Sequence, residues 1–191
     1  MNQLSATRSG FEVRPCADEV MFERLLDLND GFLARAANMS VEEWTARFRR
    51  CPAAFHCVLR RGEIDDELAG YFILLPVNEK CCEALRRGTI AAGCQIRLPD
   101  LAQPGEAIAA LYLSVVCACG PRAQKAAIDG VIAALRRLYT SENVRHLFAR
   151  AATATGARML ERLSGTRFEA DGRIHAIDLS EYDLIAAPRA R

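Results

Sequence analysis

The sequence predicts an α/β fold, a mixed, twisted sheet with helices on both faces. Three observations carry this. The stretch Ile108–Tyr139, IAALYLSVVCACGPRAQKAAIDGVIAALRRLY, changes period within itself. It begins as an apolar, β-favouring run, breaks at Gly120-Pro121, and resumes with Ile128, Val131, Ile132, Leu135 and Leu138 at helical spacing, which reads as a strand–loop–helix crossover. Upstream, Ser40 and Glu43 stand three apart before an amphipathic run, as in a capping box. Between these two features, two β-rich runs flank the polar stretch Arg60–Asp66, the pattern of a hairpin.

In chain order, Phe11–Pro15 alternates apolar and polar residues and reads as a first strand. Asp18–Phe32 reads as a helix capped by Asp18, with Phe22, Leu25 and Leu26 on its apolar stripe. Ser40 begins a second helix that runs to about Arg50, buries Trp44 and Phe48 at i, i+4, and stops at Pro52. Phe55–Arg61 and Leu68–Val77 form the hairpin. Asn78–Arg87 reads as a helix ended by Gly88, and Gly93–Gly105 has no clear period, so it reads as a long loop or short irregular elements. After the crossover, Val144–Ala151 reads as a strand. Thr153 or Thr155 caps a helix over Gly156–Leu163, and Phe168–Ala170 and Ile174–Leu179 form a last hairpin around Asp171-Gly172. Residues 1–10 read as a disordered tail, 11–180 as one domain, and 181–191 as a loose tail.

Composition narrows the function. The 191 residues are 51% hydrophobic and carry 25 basic against 24 acidic side chains, a net charge of +1. That balance argues against a dedicated nucleic-acid binder. No apolar run approaches a membrane span, and the first residues have no secretory pattern, so the expected location is the cytoplasm. The eight cysteines form no CxxC pair and the three histidines are scattered, so neither a disulfide framework nor a metal site is expected.

The order of elements resembles the GNAT superfamily, the GCN5-related N-acyltransferases, over about Phe11 to Leu179. The most family-like stretches are AGYFILLPV, the crossover itself, and GARMLERLSGTRFEA, where Leu163, Gly165 and Phe168 look like the family's leucine-glycine-phenylalanine ending. The resemblance implies a GNAT-like sheet of about six or seven strands whose fourth strand splays from the fifth. It implies an acetyl-CoA or other acyl-CoA donor, no metal, and direct transfer of the acyl group to an amine of a small molecule or protein. The pantetheine arm then bonds to fourth-strand backbone at Val115, Val116 and Cys117. The pyrophosphate sits on the following turn and helix, with Arg122, Ala123, Gln124, Lys125 and Ala126.

In this chain no second glycine follows Gly120 in that turn, and Arg122 and Lys125 supply charge in its place. Leu160 matches the position where the family often has an acid tyrosine, and Thr153 the position of an asparagine. Glu106, just before the fourth strand, is a candidate base acting through water. Tyr112, which shares a strand face with Ser114, is a candidate for orienting substrate or acting as acid. Cys117 and Cys119 read as buried small hydrophobes, Glu79 and Glu83 as a solvated helix face, and His56 and His175 as structural. The implied partners are an acyl donor and an amine acceptor, with neither nucleic acid nor membrane, and a homodimer is an open possibility. Two other functions fit the same residues: a non-catalytic GNAT-like binding or scaffold protein, and an acyltransferase whose donor is an acyl-carrier protein.

Overall fold

The structure is a computed structural model. It describes residues 10–33, 39–63, 65–142, 144–151, 153, 156, 157, 160 and 174–181. The expected tails apart from Gly10 and Glu181, the motif of Leu163, Gly165 and Phe168, and the turn at Asp171-Gly172 lie outside the described residues.

Among the described residues six strands form one sheet in the order β1-β2-β3-β4-β5-β6, the order of the chain. They are β1 (Phe11–Pro15), β2 (Phe55–Arg60), β3 (Glu67–Val77), β4 (Ala110–Ala118), β5 (His146–Ala149) and β6 (His175–Asp178). Among the described residues the helices are α1 (Glu19–Leu33), α2 (Val41–Arg50), α3 (Glu79–Arg86) and α4 (Gly120–Glu142), with further helical residues at Gly156, Ala157 and Leu160. β1, β2 and β3 pair antiparallel, β4 and β5 parallel, and β5 and β6 antiparallel. The sheet is therefore mixed. Its parallel pair is the one joined by a helical crossover, as parallel pairing requires.

The described residues fall into two compact units: residues up to Leu74 with Val115–Ala133, and Leu75–Ser114 with residues from Ala134 on. In the first unit, α1 and α2 cover one face of the β1–β3 ladder. Phe22 stacks on Phe48 with centroids 4.4 Å apart, and both meet Phe55 edge-on at 5.6 and 5.4 Å. Phe55 is fully buried. α4 covers the opposite face. A Cβ added at Gly130 would lie 2.8 Å from Val13 Cγ1 and 2.9 Å from Phe72 Cε1, so glycine is what lets the helix axis approach the strands. His56, on the Phe72 face, is buried and stacks on that ring at 4.5 Å, the structural role expected of it.

The helix ends follow from their caps. Met21 N donates to Asp18 Oδ1 at 2.8 Å. Glu43 N donates to Ser40 Oγ at 3.2 Å while Ser40 N donates to Glu43 Oε2 at 3.0 Å, completing the capping box. Gly156 N donates to Thr153 Oγ1 at 3.0 Å, the cap expected of Thr153, while Thr155 lies outside the described residues.

In the second unit, the segment without a clear period acquires structure through Asn78. Its Oδ1 accepts from Cys81 N at 3.1 Å and caps α3, while its Nδ2 donates to Pro99 O at 2.8 Å. Val77 then bridges Leu101, and Ala102 N donates to Pro76 O at 3.0 Å. The stretch is thus two short 3₁₀ turns, Gly93–Gln95 and Leu98–Asp100, fastened to the end of β3. β5 and β6 are four residues each, shorter than the sequence runs suggested. Leu111, Leu147 and Ile177 make one buried cross-strand row.

Candidate functional site

The crossover from β4 to α4 lies within the first unit from Val115 onward. β4 is buried from Ala110 to Leu113, becomes half-buried at Ser114 and Val115, and is exposed at Val116 before Cys117 and Ala118 bury again. Its parallel pairing with β5 covers Leu111–Leu113 of a nine-residue strand. Gly120 has φ +86°, in the left-handed region, and the chain turns there directly into a helix of 23 residues. Pro121 follows, a residue with no N–H to leave unsatisfied and a φ already helical. The N–H groups of Gly120 and Arg122 have no acceptor within the helix, and the dipole favours an anion beside them.

The side chains of this first stretch divide cleanly. Ala123 and Ala126 are buried, so any part they take in binding passes through backbone. Arg122, Gln124 and Lys125 are exposed. Lys125 Nζ pairs with Asp129 Oδ2 at 2.6 Å across one helical turn, an ion pair with both side chains at least half exposed and therefore weak. Among the described residues no ion pair involves Arg122.

The two cysteines expected to be buried differ. Cys117 is buried, and that burial pushes its thiol up to about 11, so it is neutral at physiological pH. Cys119 is exposed, one residue past the end of β4, and its N–H still donates to Ala69 O on β3 at 2.8 Å.

The candidates of the second unit are not equivalent. Glu106 is exposed, and its carboxylate closes a turn, Oε2 accepting from Gln103 N at 2.8 Å while Glu106 N donates to Gln103 O at 2.9 Å. Tyr112 is 2% exposed, on the buried part of β4. It shares its surroundings with Ser114 and the Gly93 turn: a Cβ added at Gly93 would stand 2.8 Å from Tyr112 Cε1 and 3.3 Å from Ser114 Oγ. Gly93 was not among the expected site residues, although an isolated glycine in an irregular segment is a signal of close approach. Glu83 pairs with Arg87 at 3.1 Å and Glu79 is exposed, so these two form the solvated face expected of them. Leu160 is helical and buried. Among the described residues no group of three or more His, Cys, Asp or Glu is arranged to hold a metal ion, and no helix is long and apolar enough to cross a membrane.

Neither a protein-family model nor a curated protein matches the chain. Solved structures do. A tyrosine-to-phenylalanine mutant of KacT superimposes with a TM-score of 0.50 at 11% identity, covering 93% of this chain and 99% of that one. A tyrosine-to-phenylalanine mutant of the AtaT toxin, bound to the C-terminus of the antitoxin AtaR and to acetyl-CoA, gives 0.50 at 9% identity, covering 92% and 98%. The KacTA–DNA complex gives 0.47 at 10% identity, covering 90% and 94%. KacT and AtaT are GNAT-family proteins, and coverage of nearly both whole chains makes the likeness one of complete folds. The chain therefore has the GNAT-like α/β fold that its sequence resembles.

Proposed function

We propose that the protein is an acyl-CoA-dependent N-acyltransferase. The observation that carries the reading is the β4–α4 crossover: strand residues Ser114–Val116 that pass from half-buried to exposed, then a left-handed Gly120 and the open end of a long helix, on a GNAT-like fold. These features suit the two ends of one ligand. The backbone at Val115, Val116 and Cys117 suits the amides of a pantetheine arm. The amides of Gly120 and Arg122, with the Arg122 and Lys125 side chains, suit a pyrophosphate. Acetyl-CoA is bound in the AtaT neighbour, which supports the donor class.

In this reading the acceptor nitrogen attacks the thioester carbonyl carbon. The developing oxyanion is stabilised by a strand N–H near Val116, the C–S bond breaks, and the departing CoA sulfur takes up a proton. The amine must lose a proton. The candidates that the sequence offers for that role are Tyr112, Glu106 and a water. Glu106 is accessible to water but engaged in its turn, whereas Tyr112 is packed against the Gly93 turn and therefore held in place. The expectation that nucleic acid takes no part rests on charge balance alone, and a gel shift at physiological salt tests it.

Thermal unfolding with acetyl-CoA, longer acyl-CoAs and free CoA tests the donor. A ligand at a hundred times its dissociation constant adds about 2.7 kcal/mol to stability. A saturable rise in Tm with acyl-CoA, abolished in the variant carrying both Arg122→Glu and Lys125→Glu, is the expected result. No rise with any donor from folded protein overturns the reading, and transfer from an acyl-carrier protein alone replaces the donor.

A further inference from the structure

β3 contains an irregularity next to the crossover. Its register with β2 slips between Val58 and Leu59: Val58 faces Gly70, but Leu59 faces Leu68, so Ala69 is an extra residue on β3. Such a bulge bends its strand and redirects the groups around it. Here the Ala69 carbonyl accepts the Cys119 N–H at 2.8 Å, at the residue immediately before Gly120. The next residue, Gly70, is buried with β4 pressed onto it. A Cβ added there would lie 2.6 Å from Cys117 O, 2.8 Å from Ala118 Cβ and 2.9 Å from Ala118 Cα. Two of these contacts are backbone atoms, which cannot swing aside as the end of a side chain can.

We infer that the Ala69–Gly70 bulge is a positioning element for the acyl donor, fixing where β4 ends and hence where the Gly120 turn presents its amides. The inference rests on the functional reading above. One residue, Ala69, ties down the exit of β4 by a hydrogen bond, and its neighbour, Gly70, admits the strand by lacking a side chain. A methyl group at Gly70 forces the Cys117–Ala118 backbone away from β3 and carries the turn with it. A donor gripped at strand backbone and at the turn is sensitive to the spacing between the two, so a displacement below an ångström weakens binding. Neither residue contacts donor in this account; both act through the placement of Val116–Arg122.

The test is calorimetric titration of acetyl-CoA into wild type, Gly70→Ala, Ala118→Gly and Ser40→Ala, each well below its Tm. Ser40→Ala is the control for stability, since it removes the α2 cap far along the chain from the crossover. Gly70→Ala is expected to bind at least roughly tenfold more weakly. Ala118→Gly, which loosens the same contact by deleting one methyl, is expected to fold and to bind several-fold more weakly, and it carries the test if Gly70→Ala does not fold. Ser40→Ala is expected to lose stability and keep wild-type affinity. Wild-type affinity in both crossover variants overturns the inference while leaving the functional reading intact. So does an equal loss in Ser40→Ala, because the effect then follows stability and not position. A wild type that binds no acyl-CoA overturns the functional reading, and this inference with it.

Discussion

Of the eight cysteines, all of them described, Cys119 alone is exposed; Cys51 and Cys94 are half-buried and the other five are buried. Burial holds Cys51 up to about 11 and Cys81 up to about 12, so both are protonated as well as shielded. Native alkylation with iodoacetamide, read by peptide mass, is therefore expected to modify Cys119 first. Because Cys119 adjoins the Gly120 turn, saturating acetyl-CoA should slow that modification while leaving labelling of Cys51 unchanged. Labelling of Cys119 at one rate with and without ligand would contradict the placement of the donor. The sequence carried part of this residue-scale picture. An apolar run with cysteines at Cys117 and Cys119 shows that both lie near a strand end. It cannot show where the backbone leaves the sheet, because that depends on the Cys119 bond to Ala69, a partner fifty positions away in the chain.

At the scale of elements, the caps were legible because they are local. Ser40 and Glu43 stand three apart, and both reciprocal bonds form. Ser40→Ala should cost about 1 kcal/mol of stability, measurable as a lower urea midpoint with an unchanged slope. The core is a non-local matter. Phe55 is fully buried among Phe22, Trp44 and Phe48, and Phe55→Ala should cost about 3–5 kcal/mol in the same measurement. A loss below 1 kcal/mol would mean that the aromatic cluster is not a core. The β2–β3 hairpin was legible from its polar turn, and Arg60 and Glu67 pair across its mouth. The bulge inside that hairpin was not read, although Gly70 in an apolar strand is the usual sign of one. The segment 93–105 has no period because its turns are held by Asn78 and Val77, not by repeating contacts of its own.

At the scale of the whole molecule, stability toward acid depends on which proton sites the fold disfavours. His146 begins β5, half-buried, with Asp178 opposite it on β6. Burial, followed by the charge of Arg86, lowers its affinity for a proton below the ordinary 6.5, with Asp178 and Glu79 opposing. The unfolded chain therefore binds that proton more readily than the folded one. The contribution of neutral His146 is fully present above pH 6.5 and is lost as pH falls from there through its lowered folded value. Asp178 acts in the same direction further down. Hydrogen bonds from Ser180 Oγ and N lower its carboxyl below the ordinary 3.8, so its contribution holds above that value and is lost as pH falls through the folded one. Acid should thus weaken the protein in two stages, the first belonging to His146. Thermal unfolding of wild type and His146→Gln from pH 8 to pH 4 isolates that stage, because glutamine is neutral throughout. The difference in Tm should be constant at the alkaline end and shift in favour of the variant below about pH 6.5. A difference that stays flat across the range would show that His146 has the same proton affinity folded and unfolded. A shift in favour of wild type would reverse the sign, making the carboxylates of Asp178 and Glu79, and not burial, the dominant influence on the ring.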